Sequence, residues 1–148
     1  MKAQHKLRFE LRLGAPAERV WDMVTDPAAM AQWIGFSQVW LSHAGTPEPR
    51  GLGAERSLVD PLMGTVVERV VDWRPVESYR YRIVSGSPFR EYEGEVALNP
   101  QDARTTDVVL KIQFRPRWTG TGILLKFLLA AKLRAAMRTL NALVQTKA

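Results

Sequence analysis

Residues His5 to Leu13 alternate without a break, with Leu7, Phe9, Leu11 and Leu13 on one face and Lys6, Arg8, Glu10 and Arg12 on the other. A two-residue period of this kind predicts a strand with one buried face. Gly14-Ala15-Pro16 ends it, and Pro16 suits the first turn of a helix, where a missing N–H costs nothing. In that helix Val20, Trp21 and Val24 recur at helical spacing against Glu18, Arg19 and Asp22. Asp26-Pro27 stops it, and Pro27 opens a second short helix through Ala28, Met30, Ala31 and Trp33, closed by Gly35.

From Phe36 the pattern is that of strands. Residues 36–42 predict one, and a Gly/Pro-rich loop follows over 44–51. Residues 54–60 and 65–73 flank the tight Pro61-Leu62-Met63 connection and predict a hairpin. Arg74-Pro75-Val76-Glu77 turns the chain into a strand at 78–84, and Gly86-Ser87-Pro88 into another at 90–98. Asn99-Pro100-Gln101-Asp102 then turns it into a strand at 106–115, with Glu91, Glu93 and Glu95 on the outer face, where Lys111 can pair across the strands.

Residues 121–148 contain no Pro or Gly after Gly122 and are rich in strong helix formers. Viewed down a helix at about 100° per residue, Leu125, Leu129, Leu133, Ala136, Met137, Leu140, Leu143 and Val144 fall on one side. Arg134, Arg138, Asn141 and Gln145 fall opposite. In the first half Leu124, Phe127 and Leu128 add apolar surface on the flanks, so this end needs apolar company on several sides. The order of elements predicts an α+β domain: a strand, two short helices, an antiparallel meander and one long terminal helix. A meander of this size curls, and its apolar face needs something laid across the concavity. The long helix meets that need and leaves an apolar space beneath it.

Composition narrows the picture. With 148 residues, 46% of them hydrophobic and 24% charged, the chain is expected to form one globular domain over residues 1–148. It has no cysteine, which removes disulfides and thiolate chemistry and fits a reducing cytoplasm. The first residues lack the apolar stretch of a signal peptide, and the apolar runs around Lys126 are too short to span a bilayer. A net charge of +6 allows attraction to anionic lipid or nucleic acid. Over the chain as a whole, Lys and Arg are interspersed with Asp and Glu, which argues against a nucleic-acid partner. His5 and His43 are the two histidines, and nothing accompanies them at metal-ligand spacing. There is no Gly-x-Ser-x-Gly, phosphate loop or dinucleotide fingerprint, so neither a metal nor another cofactor is expected. Oligomeric state leaves no trace in the sequence.

Several stretches look familiar together: Val20-Trp21-Asp22-Met23-Val24-Thr25-Asp26-Pro27 with Trp33, Gly51-Leu52-Gly53-Ala54-Glu55-Arg56, and Glu68-Arg69-Val70-Val71-Asp72-Trp73-Arg74-Pro75. Tyr79-Arg80-Tyr81-Arg82-Ile83, Tyr92-Glu93-Gly94-Glu95-Val96 and Phe114-Arg115-Pro116, ahead of Gly120-Thr121-Gly122, complete the set. Spread over nearly the whole chain, they resemble the SRPBCC (START/birch-pollen-allergen-like) superfamily, closest to its polyketide cyclase/dehydrase-like branch. The resemblance implies a helix-grip fold, in which a curved antiparallel sheet wraps a long C-terminal helix and two short helices follow the first strand. It also implies a deep cavity between sheet and helix for lipids, polyketides, hormones or other hydrophobic small molecules. Some members catalyse reactions there and many only bind or carry, so the fold does not choose between these roles.

The candidate site residues follow from the hairpin and the aromatics. If the 54–73 hairpin turns on Leu62, Arg56 faces Glu68 and Glu55 faces Arg69. One pair then faces the cavity and the other solvent. Val59, Val67, Val71, Trp73, Tyr79, Tyr81 and Ile83 are all odd-numbered. This favours Glu55 and Arg69 inward, an order that a bulge would reverse. An inward Arg–Glu pair would anchor a ligand carboxylate, enolate or hydroxyl, or else serve as a structural ion pair. Trp33, Phe36, Tyr81, Tyr92 and Trp118 are the aromatic candidates, the tyrosines because a buried phenol needs a partner. Trp118 lies in the loop before the long helix, at the expected mouth, and Leu124, Phe127 and Leu128 form the expected wall.

Three functions fit this reading. The first is reversible binding or carriage of a small hydrophobic or aromatic molecule. The second is a cyclase- or dehydratase-type enzyme using Tyr81 or Tyr92 with Arg69 and Glu55 for proton transfer and enolate stabilisation. The third is an interaction module whose basic helix face, Arg134 and Arg138, docks a partner or rests on an anionic membrane.

Overall fold

The computed structural model describes residues 4–61, 64–86 and 88–146. Strand β1 is His5–Leu13, β2 Gln38–His43, β3 Glu55–Asp60, β4 Gly64–Arg74, β5 Ser78–Ser85, β6 Phe89–Asp102 and β7 Thr105–Pro116. They form one curved antiparallel sheet in the order β1-β7-β6-β5-β4-β3-β2. Helices α1 (Ala17–Thr25) and α2 (Pro27–Met30) carry the chain from the β1 edge to the β2 edge, and α3 (Gly122–Thr146) follows the last strand. This is the helix-grip arrangement. Leu62, Met63, Ser87 and Lys147-Ala148, which the sequence reading assigns to two turns and a helix end, lie outside the described residues, as does the Met1–Lys2–Ala3 start.

Local chemistry explains most boundaries. Pro16 precedes α1 in extended conformation, and α1 buries Val20, Trp21 and Val24 as its spacing requires. Asp26 caps α2, its carboxylate accepting the Ala28 N–H at 3.3 Å, with Pro27 in the first position. This helix ends at Met30, short of the expected Trp33. Single turns then run on to Gly35, whose φ of 84° suits glycine, while the Trp33 indole N–H donates to the Met23 carbonyl at 2.8 Å. The β6–β7 turn also differs from expectation. Asn99 and Pro100 still pair with Asp107 and Thr106, and a bulge before Asp102 accommodates the proline. The chain reverses at Ala103-Arg104, where the Asp102 carboxylate accepts the Arg104 N–H at 2.8 Å.

The β3–β4 register is the expected one, Glu55 opposite Arg69 and Arg56 opposite Glu68. The inward face is the other one. Near the β4–β5 turn Trp73 pairs with Tyr79 and Asp72 with Arg80, but the next pair is Val70 with Tyr81, so Val71 is an extra residue. This bulge reverses the parity of β4. Val66, Glu68 and Val70 therefore share the inner face with Tyr79 and Tyr81, and Val66, Glu68, Val70, Arg56 and Leu58 are all buried. Counting back from Trp73 through Val71 puts the wrong pair inside.

The core lies between this inner face, α1 and α3, with Leu13, Val20, Phe114, Leu140 and Val144 fully buried. Two cations fasten α3 over it. The Arg19 guanidinium donates to the Val144 carbonyl at 3.3 Å, satisfying a last-turn acceptor. The Lys132 ammonium donates to the Gly35 carbonyl at 3.0 Å and to the Asp60 carboxylate at 3.1 Å.

Candidate functional site

Across the floor of the interior runs a row of rings. Trp73 and Tyr79 have centroids 6.0 Å apart, Tyr79 and Tyr81 6.0 Å, and Tyr81 and Tyr92 6.2 Å, and Phe89 and Phe114 continue it. Alternation along β5 sends Tyr79 and Tyr81 inward together. Tyr81 lies across from Gly94 on β6, and its ring occupies the space a Cβ at position 94 would fill.

Above the two β5 tyrosines sits Arg56, only 3% exposed. Its Cζ lies 5.1 Å from the Tyr79 ring centroid and 5.4 Å from that of Tyr81, within cation–π range. Nη2 donates to the Glu68 carboxylate at 2.9 Å, and Nη1 lies 3.3 Å from the Tyr79 hydroxyl and 3.2 Å from the Met30 sulfur. The Tyr79 hydroxyl in turn donates to the Val24 carbonyl at 2.7 Å, tying the cluster to α1. Among the described residues the buried Nε–H of Arg56 has no hydrogen-bond partner.

Burial sets the protonation states. It pushes the Tyr79 and Tyr81 phenols above their usual range, and Tyr92 likewise, so all three stay protonated and can donate a hydrogen bond. It also raises the Glu68 carboxyl, outweighing the opposing pull of Arg56. For Arg56 desolvation acts downward, but the Tyr79 oxygen and Glu68 more than offset it, and the guanidinium stays charged.

The space these groups share has a volume of about 40 Å³. Arg56, Glu68, Tyr79 and Tyr81 line its floor, Met30, Trp33 and Ile34 one wall, and Leu133, Met137 and Leu140 of α3 the roof. The deep cavity that the resemblance implies is here a narrow crevice with room for water-sized guests.

The structure scatters the ten residues expected at the site rather than gathering them there. Trp33 and Tyr81 line the crevice; Tyr92 continues the ring row beyond it. Phe36 is not among the residues that line the crevice; its ring centroid lies 4.3 Å from the Lys132 ammonium. Glu55 and Arg69 pair at 2.7 Å on the outer face, their side chains 25% and 50% exposed. Trp118, Leu124, Phe127 and Leu128 face solvent rather than the cavity, at 59–71% exposure. One concave face takes one helical stripe, and Leu125, Leu129, Leu133 and Leu140 already supply it. Arg56, Glu68, Tyr79 and Met30 were not nominated. The signal for Arg56 and Glu68 is the even-numbered alternation Ala54, Arg56, Leu58 and Val66, Glu68, Val70, which competes in the sequence with an odd-numbered one of equal apolar content.

Comparison with known proteins places this geometry. The family model described as polyketide cyclase / dehydrase and lipid transport matches residues 4–145. A START superfamily protein from Mycobacterium smegmatis is similar in structure, with a TM-score of 0.83 at 17% identity over 97% of this chain and 99% of that one. The Zhui aromatase/cyclase from Streptomyces sp. R1128 superposes with a TM-score of 0.80 at 18% identity, covering 97% and 94% of the two chains. Norcoclaurine synthase from Thalictrum flavum, in complex with dopamine and hydroxybenzaldehyde, gives 0.72 at 13% identity over 98% and 88%. No curated protein matches the sequence. At these identities the solved structures establish the helix-grip fold, and the end-to-end family match goes further: the chain belongs to the polyketide cyclase/dehydrase and lipid transport family.

Proposed function

We propose that the crevice beneath α3 binds a small aromatic or hydrophobic molecule reversibly, with Arg56 as its polar anchor. The observation that carries this reading is the buried guanidinium. A charge withdrawn from water is costly unless its hydrogen bonds are made. Arg56 makes them on both terminal nitrogens and, among the described residues, leaves Nε without a partner. Apolar walls with one or two placed polar groups are the usual make-up of a small-ligand site. Because Glu68 already balances the charge, the anchor favours a neutral acceptor, a carbonyl or hydroxyl on an aromatic ring, over a carboxylate.

Size sets a condition. Ligand sites usually offer roughly 300–1,000 Å³, against the 40 Å³ open here. Guest and cavity therefore form together. Met30 and Met137, both in the lining, are unbranched and adaptable and would yield first. The family description, which names cyclisation, dehydration and lipid transport, is compatible with such a guest.

Titration of tryptophan fluorescence with 2-naphthol, 2-acetylnaphthalene and naphthalene tests the reading. The two oxygenated probes should bind about tenfold more tightly than the hydrocarbon, because a hydrogen bond to a charged group is worth about 1.5–3 kcal/mol. Replacing the pair together, Arg56→Met with Glu68→Leu, should level all three. Absence of saturable binding by every probe, with no co-purifying small molecule in native mass spectrometry, would remove the reading.

A second reading rests on Glu68. Its raised pKa moves it toward the range useful for proton exchange, and it lies 2.9 Å from a guanidinium able to stabilise an enolate. In a cyclase- or dehydratase-type reaction the roles expected for Glu55 and Arg69 would pass to Glu68 and Arg56. Turnover of polyketide-like substrates that is indifferent to Glu68→Gln would exclude it.

A further inference from the structure

The charge of the chain divides at Asp107. No Asp or Glu follows it: the last 41 residues hold eight of the 21 Lys and Arg and none of the 15 acids. The interspersion of opposite charges seen over the whole chain thus stops there, and the element that follows β7 is α3.

The outer face of α3 is also where the apolar surface collects. Among the described residues eight large apolar side chains are exposed, and five of them, Trp118, Ile123, Leu124, Phe127 and Leu128, fall within one loop and two helical turns. Phe127 is 71% exposed and Ile123 69%. At about 100° per residue, Arg134 and Arg138 lie within roughly 20° of Phe127 along the same stripe. The stripe is therefore apolar at its start and cationic beyond, with Arg117 beside Trp118 and both exposed. Arg134 also lies 6.0 Å from the Phe9 ring, on the β1 side.

We infer that this face docks on an anionic lipid surface, with α3 lying in the interface plane. Trp118, Ile123, Leu124, Phe127 and Leu128 enter the acyl boundary, and Arg117, Arg134 and Arg138 meet the headgroups. Charge selects this occupant. A second copy of the chain would bring the same acid-free cationic stripe against itself. A nucleic acid would meet the cations but leave the aliphatic side chains without a partner. No helix among the described residues is long and apolar enough to cross a membrane, which suits an element that lies on a bilayer rather than through it. The inference uses only the outward side of α3 and stands independently of what the crevice binds.

Co-sedimentation of the full chain with vesicles decides it. Phosphatidylcholine vesicles containing phosphatidylglycerol should carry the protein down at low salt, and pure phosphatidylcholine vesicles should leave it in solution. High salt should release a large share. Phe127→Ser with Leu128→Ser should weaken binding more than tenfold. Arg134→Gln with Arg138→Gln should weaken it by about tenfold at low salt and flatten the salt dependence. All four side chains are exposed, so unchanged circular-dichroism melts should accompany both losses. Binding to neither vesicle overturns the inference, as does equal binding by wild type and both double variants. It is also overturned by a concentration-dependent dimer, or duplex DNA binding, that the Phe127→Ser/Leu128→Ser pair abolishes.

Discussion

Two ion pairs stand one residue apart in the β3–β4 hairpin and behave as different objects. Arg56–Glu68 and Arg69–Glu55 close at 2.9 and 2.7 Å, so contact distance does not distinguish them. Their side chains are 3% and 9% exposed in the first and 50% and 25% in the second. Outside, water screens the attraction and competes for every hydrogen bond. Inside, each charge depends on the other and on Tyr79, and losing one strands its partner. The pleat alone produces this difference, since adjacent residues of a strand point to opposite faces.

The largest effect expected from breaking this comparison is that of Glu68→Ala. It leaves the Arg56 charge buried without its counter-ion, and unfolding in urea should show a loss of about 3–5 kcal/mol. A loss below 1 kcal/mol would mean that the inner pair is no more demanding than the outer one. Next comes Tyr79→Phe, which removes the donor to the Val24 carbonyl and an acceptor for Arg56. Leaving buried polar groups unsatisfied should cost about 1–3 kcal/mol by the same measurement.

A pH series sharpens the comparison further. Burial raises the Glu68 pKa in the folded state. Between the unfolded and folded values the unfolded chain therefore holds fewer protons, and stability falls as pH rises through that window. Asp107 has the opposite sign. Hydrogen bonds from Arg12 at 2.8 and 3.1 Å lower its pKa, so its contribution is present above the ordinary Asp value and is lost as pH falls through the lowered one. In Glu68→Gln the decline that begins near the ordinary Glu value, about 4.3, should vanish while the acid-side loss remains. Parallel curves for variant and wild type above that value would contradict the assignment to Glu68. The smallest effect belongs to Arg69→Ala, expected at about 0–1 kcal/mol and shrinking further in high salt. A loss comparable to that of Glu68→Ala would erase the distinction between the pairs.

Much of this was legible beforehand. The period-two run His5–Leu13 became β1, the hairpin register came out pair for pair, and the stripe from Leu125 to Val144 became the buried side of α3. The inward face of the hairpin was not legible, because an extra residue at Val71 is a backbone event that leaves no mark on composition. Leu124, Phe127 and Leu128 are apolar but do not face the cavity, because the sheet has one concave face to offer. The acid-free stretch after Asp107 is written in the sequence, but a whole-chain charge balance averages it away. The turn lies at Ala103-Arg104 rather than at 99–102, because a bulge lets the strand pass through Pro100.

The contact between Gly94 and the Tyr81 ring has a consequence for anyone wishing to reshape the interior. The missing side chain at position 94 makes room for the Tyr81 ring, since a Cβ there would meet that ring and the ring would have to give way. Under the proposed binding role, room for larger guests comes from the roof, by shortening Met137 or Leu133. Under the same role, Gly94→Ala and Gly94→Ser are expected to displace the Tyr81 ring and narrow the crevice.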